Sequence, residues 1–113
     1  MNDLKSMILA GRLSAAMSFA QKVWAVTARI PRGKVVTYKQ VAAALNSHAY
    51  RAVGIALERN PYAPQIPCHR VIGSDGRLVG YAGGLPLKAR LLKDEGIAIK
   101  SGRVDLDVFG YQI

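Results

Sequence analysis

"TYKQVAAALNSHAYRAVGIALER", residues 37–59, reads as two short helices joined by a tight turn, and this pair decides the fold. Thr37 with Gln40 three residues on is a capping-box pattern, which predicts a helix through Leu45. Asn46–Ser47 reads as a turn, with Ser47 the next N-cap. The helix "HAYRAVGIALER" then closes at Asn60–Pro61. Two such helices, the second carrying small residues, form a helix-turn-helix pattern. Many helical hairpins bind nothing, so the charge of the chain decides. Lys plus Arg number 16 against 7 Asp plus Glu in 113 residues, a net charge of +9. Each phosphate neutralised by such a protein releases condensed counterions, so the field favours polyanions. No segment joins a Lys/Arg face to a bulky apolar one, which argues against a membrane-surface helix. Nucleic acid is the expected partner.

Upstream, "SFAQ" at 18–21 is a second capping box. Phe19, Val23, Val26 and Ile30 recur at helical spacing, so a helix is predicted to about Arg29, stopping before Pro31–Gly33. "KVVTY" is β-branched and extended. The opening stretch "MNDLKSMILAGRLSAAMSF" is broken by Asp3, Lys5 and Arg12 and makes a poor signal peptide. No apolar run reaches the ~20 residues a bilayer requires. Downstream, "APQIP" is extended by its prolines, and "VIGSDGRLVGY" is predicted to be a hairpin or wing with Gly73–Gly76 at its tip. A last helix begins near Pro86, carries Leu87, Leu91 and Leu92, and stops at Gly96. The tail "IAIKSGRVDLDVFGYQI" mixes short extended pieces with turns. Repeats and linkers are absent. The expected fold is mainly α: a winged helix-turn-helix-like DNA-binding domain with short strands and a hairpin. It forms one domain over 1–113, with a core at 18–97 and a tail at 98–113.

"IPCHRVIG", residues 66–73, holds the only cysteine beside one of two histidines. A lone cysteine is commonly a small buried hydrophobe. It becomes a nucleophile where a neighbouring base or positive charge favours the thiolate, and His69 and Arg70 offer both. Cys68 follows Pro67 on what reads as an extended segment, where adjacent side chains point apart. A working Cys68–His69 pair therefore needs a turn or a bridging water. Cys68, His48 and His69 are too few for an ordinary zinc site and no CxxC exists, so neither metal nor cofactor is expected. A single cysteine excludes an intramolecular disulfide, which fits a reducing cytoplasm.

"NPYAPQIPCHRVIGSDGRLVGYAGG" followed by "LLKDEG" resembles the alkylguanine-DNA alkyltransferases (methylated-DNA–protein-cysteine methyltransferases), whose active-site signature is PCHRV. "RIPRGKVVTYKQVAAAL" and "RAVGIALERNP" resemble that family's helix-turn-helix, so the likeness covers roughly residues 19–97. It implies irreversible transfer of an alkyl group from the exocyclic oxygen of guanine (or thymine) to the protein's own cysteine, once per molecule. Cys68 would be the acceptor. His69 would deprotonate it through a water, Glu95 would orient the imidazole, and Asn60 would brace this network. A stacked base is out of reach, so the lesion would be flipped out. Arg51 would fill the vacated space, and Tyr38 would press on the adjacent phosphate. Tyr81 would donate to the flipped guanine, and the backbone around Val71 would read its edge. Ala52 and Gly54 would let the helix press into the minor groove, where sequence readout is poor. The ordinary readings are a solvated acid for Glu95, a surface arginine for Arg51, and core-edge tyrosines.

Three departures stand out. The 18 residues before Phe19 are too few for the separate N-terminal domain of full-length members. The size and the tail "GRVDLDVFGY" resemble the alkyltransferase-like proteins, which bind the same lesions with Trp or Ala at the cysteine position and flag them for another pathway. Tyr50 stands where a small residue is usual, and Ala82 where Ser is commoner. The expected partner is duplex DNA carrying alkylated guanine, bound by a monomer, with other repair proteins recruited in the sensor alternative.

Overall fold

A computed structural model describes residues 3–113; the first two residues of the N-terminal stretch lie outside them. Within the described residues, six helices and two small strand pairs make a mainly helical domain. α2 (Phe19–Thr27) carries the predicted capping box, with Ser18 and Gln21 bonded reciprocally. α3 (Tyr38–Ala44) is opened by Thr37 and Gln40 in the same way. α4 spans Tyr50–Glu58, two residues later than the sequence suggests. Ser47 is not its N-cap: its hydroxyl accepts from the Ala49 N–H inside the turn, and the helix starts without a side-chain cap.

Burial holds these three helices together. Val23 and Val26 of α2, Val41 and Ala42 of α3, and Val53, Ala56 and Leu57 of α4 share one core with Val36, Cys68 and Val71. The Trp24 indole N–H donates to the Ala56 carbonyl at 2.7 Å, pinning α2 to α4. α1 (Leu4–Leu9), a helix beyond those expected from the sequence, is capped by Asp3. It buries Ile8 against Met17, Ala25 and Ile66. Among the described residues no helix is long and apolar enough to cross a membrane.

The expected wing differs from a hairpin. β2 (Val71–Ile72) pairs in parallel with β1 (Val36–Thr37), Val36 opposite Val71. Beyond β2 the chain turns, closed by Gly73 N–H to the Arg77 carbonyl at 2.8 Å. Arg77 then bridges to Arg103, so its partner is the tail and not β2. Gly76 permits this contact: its φ is +87°, and a Cβ there would overlap the Val104 carbonyl. The tail itself holds the hairpin, β3 (Ile99–Lys100) against β4 (Arg103–Val104). It turns through Ser101 and Gly102, both at positive φ. A short helix, α6 (Leu106–Phe109), follows, and Gly110 beyond it bridges to Val35. α5 (Leu85–Asp94) begins beside Pro86 and stops at Gly96 as predicted. Of its leucines, Leu92 is buried and Leu87 is exposed, and Lys88 also takes an inward position.

Candidate active site

Cys68 opens a single turn of 3-10 helix, Cys68–Arg70, where an extended segment was expected. The turn is closed by Arg70 N–H to the Pro67 carbonyl at 2.9 Å. Two anchors beyond it hold the turn. His69 Nε2 meets Glu95 Oε2 at 2.8 Å. The Arg70 guanidinium forks onto both Glu95 oxygens at 2.8 Å and donates a third bond to the Ile30 carbonyl. The side chain of Glu95, at the C-terminus of α5, is 7% exposed and that of His69 is 3% exposed, so Glu95 is not a solvated acid.

These contacts set the protonation states. Burial pushes the Glu95 carboxyl up, but the hydrogen bonds from Arg70 and His69, and then their charge, outweigh it and hold it at about 2. Burial lowers the His69 pKa below its ordinary 6.5, against the opposing pull of Glu95. The imidazole is therefore neutral at pH 7. With Nε2–H assigned by its carboxylate partner, Nδ1 carries the lone pair. Among the described residues, Nδ1 is the buried side-chain nitrogen or oxygen left without a partner. Nδ1 makes no hydrogen bond to the Cys68 thiol, so a bridging water is what would connect this buried base to it.

Asn60 lies one step outside this trio. Its amide donates to the Ile66 carbonyl at 2.9 Å and its oxygen accepts from the Tyr62 N–H, fixing the loop that delivers Cys68.

Cys68 opens onto a cavity of about 480 Å³ walled by α4 and by residues 79–82. That is the size range of small-molecule sites. Tyr38, Arg51, Gly54, Tyr81 and Ala82 all line it. Gly54 is informative, because glycine inside a helix costs roughly 1 kcal/mol against alanine. A Cβ there would meet nothing within 4 Å, so nothing in the fold demands glycine, and the open space faces the cavity. Ala52 and Val71 are not in the lining. Ala52 is half-buried, and the Val71 carbonyl accepts from Lys88 Nζ at 2.6 Å. The Tyr38 hydroxyl donates to the Val79 carbonyl at 2.9 Å, so it is tied to the cavity wall in the free protein. Burial, then the charges of Cys68 and Glu58, push that phenol up to about 12. Burial also raises the Tyr81 phenol, with Cys68 adding to it.

Two contributors are not evident from the sequence. The motif marks Arg70 only as a source of positive field, yet it is the clamp on Glu95. Lys88 is wholly buried; its ammonium donates to the carbonyls of Val71, Val79 and Gly80 and lies 5.8 Å over the Tyr38 ring. A signal for it exists: Lys88, Leu92 and Glu95 fall at i, i+4 and i+7, a lysine on the inward stripe of α5. Among the described residues, no cluster of three His, Cys, Asp or Glu is placed to hold a metal.

Residues 18–97 match the family described as 6-O-methylguanine DNA methyltransferase, DNA binding domain. The chain belongs to this DNA-repair alkyltransferase family. A methylated-DNA–protein-cysteine methyltransferase of Methanosarcina barkeri is 55% identical over 78 residues, 68% of this chain and 49% of that protein. The chain spans about half the length of the curated relatives it matches. Among solved structures, S. pombe Atl1 in complex with damaged DNA containing O6-carboxymethylguanine superposes with a TM-score of 0.75 at 28% identity, covering 84% of this chain and 95% of that one. Mycobacterium tuberculosis OGT in complex with DNA gives 0.68 at 38% identity, over 82% of this chain and 63% of that one. The alkyltransferase fold of these neighbours is the mainly helical domain described above.

Proposed function

We propose that this protein repairs alkylated guanine in duplex DNA by moving the alkyl group onto Cys68. The observation that carries the reading is the His69–Glu95 pair within the turn that Cys68 opens, with His69 neutral, its Nε2 held by a carboxylate and its Nδ1 left free. His69 takes the Cys68 proton through a water. The thiolate attacks the substituent carbon, a carbon–sulfur bond forms, and the carbon–oxygen bond breaks with its electron pair left on guanine. Guanine takes up a proton and the protein is spent. The lesion reaches the cavity by flipping: Arg51 fills the stack, Tyr38 exchanges its Val79 partner for a phosphate, and Tyr81 contacts the base. The net charge of +9 supplies attachment without sequence preference. DNA complexes of S. pombe Atl1 and M. tuberculosis OGT support this use of the shared fold.

A second reading, lesion binding without transfer, is favoured by one observation. The superposition on Atl1 has a TM-score of 0.75, against 0.68 for M. tuberculosis OGT. Single-turnover assays with a methylguanine duplex separate the two. Transfer gives a methylated Cys68 and restored guanine; binding alone leaves both unchanged.

A further inference from the structure

Glu58 occupies a place that neither the fold nor attachment to DNA explains. It closes α4 on the face that also presents Arg51, Gly54 and Ile55, and all four line the Cys68 cavity. A carboxylate in the last turn of a helix faces the negative end of the macrodipole. On a surface read as DNA-facing it also repels phosphate. Nothing inside the molecule offsets this: Glu58 is exposed and, among the described residues, forms no salt bridge. Its field does reach the site, since its charge acts on the Tyr38 phenol together with that of Cys68.

Among the described residues, Arg51 and Glu58 are the permanently charged side chains of the lining. The rest of the wall near them is apolar or phenolic, with Tyr50, Ile55 and Val79 exposed around the mouth. Lys88 lies behind that wall with its ammonium taken up by three carbonyls. If Arg51 enters the base stack, Glu58 remains as the one permanently charged side chain lining the Cys68 cavity.

We infer that Glu58 is a charge filter for the substituent: the pocket takes guanine adducts with neutral, apolar or cationic groups and disfavours those ending in a carboxylate. This rests on the lesion-in-pocket reading proposed above. Discrimination comes here from a repulsive element as much as from an attractive one. At separations of several ångströms in a partly solvated site, one like-charge contact corresponds to roughly five- to tenfold.

The test uses two duplexes whose guanine substituents are isosteric, carboxymethyl and its neutral amide carbamoylmethyl, with methylguanine alongside. Single-turnover transfer rates are measured for the unaltered protein, Glu58→Gln and Glu58→Arg, and compared as the amide-to-acid ratio within each protein. That ratio cancels any general change in folding or rate. It is expected to fall roughly five- to tenfold in Glu58→Gln and further in Glu58→Arg. A ratio unchanged by both substitutions overturns the filter. Absence of transfer from every duplex, methylguanine included, counts against the transferase reading alone. The same ratio is then taken from equilibrium binding to the three duplexes, with the same two outcomes.

Discussion

His69 gives its Nε2 to Glu95 at 2.8 Å and keeps Nδ1 unpartnered in the buried interior. That asymmetry makes the imidazole a base of one defined tautomer. Because burial lowers the His69 pKa, the neutral form persists as pH falls below 6.5. Transfer rates are expected to hold through pH 6.5 and fall only at lower pH. His69→Ala should slow transfer by roughly a hundredfold or more, the ordinary worth of a positioned base. A rate that halves at the ordinary histidine pKa would contradict the buried-base assignment.

Arg70 governs how the protein meets acid. Glu95 has its folded pKa depressed to about 2, so its contribution is fully present above the ordinary 4.5 and is lost as pH falls from there toward 2. Arg70→Met removes the two bonds to Glu95 and leaves a buried carboxylate with His69 alone. Urea midpoints should drop at neutral pH, because breaking a buried pair strands the remaining charge. The further loss of stability below pH 4.5 should shrink, because without Arg70 the folded Glu95 pKa rises from about 2 toward its unfolded value. Midpoints that track the unaltered protein across pH 3–7 would show that the clamp is inert.

Lys88 ties residues 79–80 of the cavity wall to Val71. Its burial lowers its pKa to about 8, partly offset by the charge of Cys68. The folded pKa lies below the ordinary 10.5, so confining the ammonium costs stability below about 8, and that cost shrinks as pH rises toward 10.5. Lys88→Met removes both the cost and the tether. Thermal stability at pH 7 is expected to change little, while amide exchange in residues 79–82 accelerates and transfer slows. Unchanged protection of those amides would mean that the wall is held without Lys88.

Arg51 separates flipping from attachment. Affinity for undamaged duplex should fall roughly a hundredfold or more between about 50 and 200 mM salt, as counterion release requires. Arg51→Ala should reduce the rate of transfer far more than this affinity. Equal losses in both would make Arg51 a phosphate contact only.

Much of this was legible in the sequence, for physical reasons. Capping boxes are local, so Ser18–Gln21 and Thr37–Gln40 located α2 and α3. Gly96 and Pro86 bounded α5 in the same way. The start of α4 was misplaced because Ser47 could bond within its own turn as readily as cap a helix. The hairpin at 71–81 failed because pairing is not local: β1 and the tail offered β2 and Arg77 better partners than each other. PCHRV marked Cys68 and His69, yet the roles of Arg70 and Lys88 depend on Glu95, Ile30 and the 79–80 carbonyls, which only the folded chain brings near. Charge counted by residue type could not tell a buried lysine from a solvated one.

The most direct measurement is the intact mass of the protein, with peptide mapping, after incubation with excess methylguanine duplex. Direct repair predicts one methyl group replacing one hydrogen, located on Cys68, with guanine restored and no change in Cys68→Ala. A protein that binds the duplex through long incubation and keeps its original mass would contradict transfer and leave lesion recognition alone.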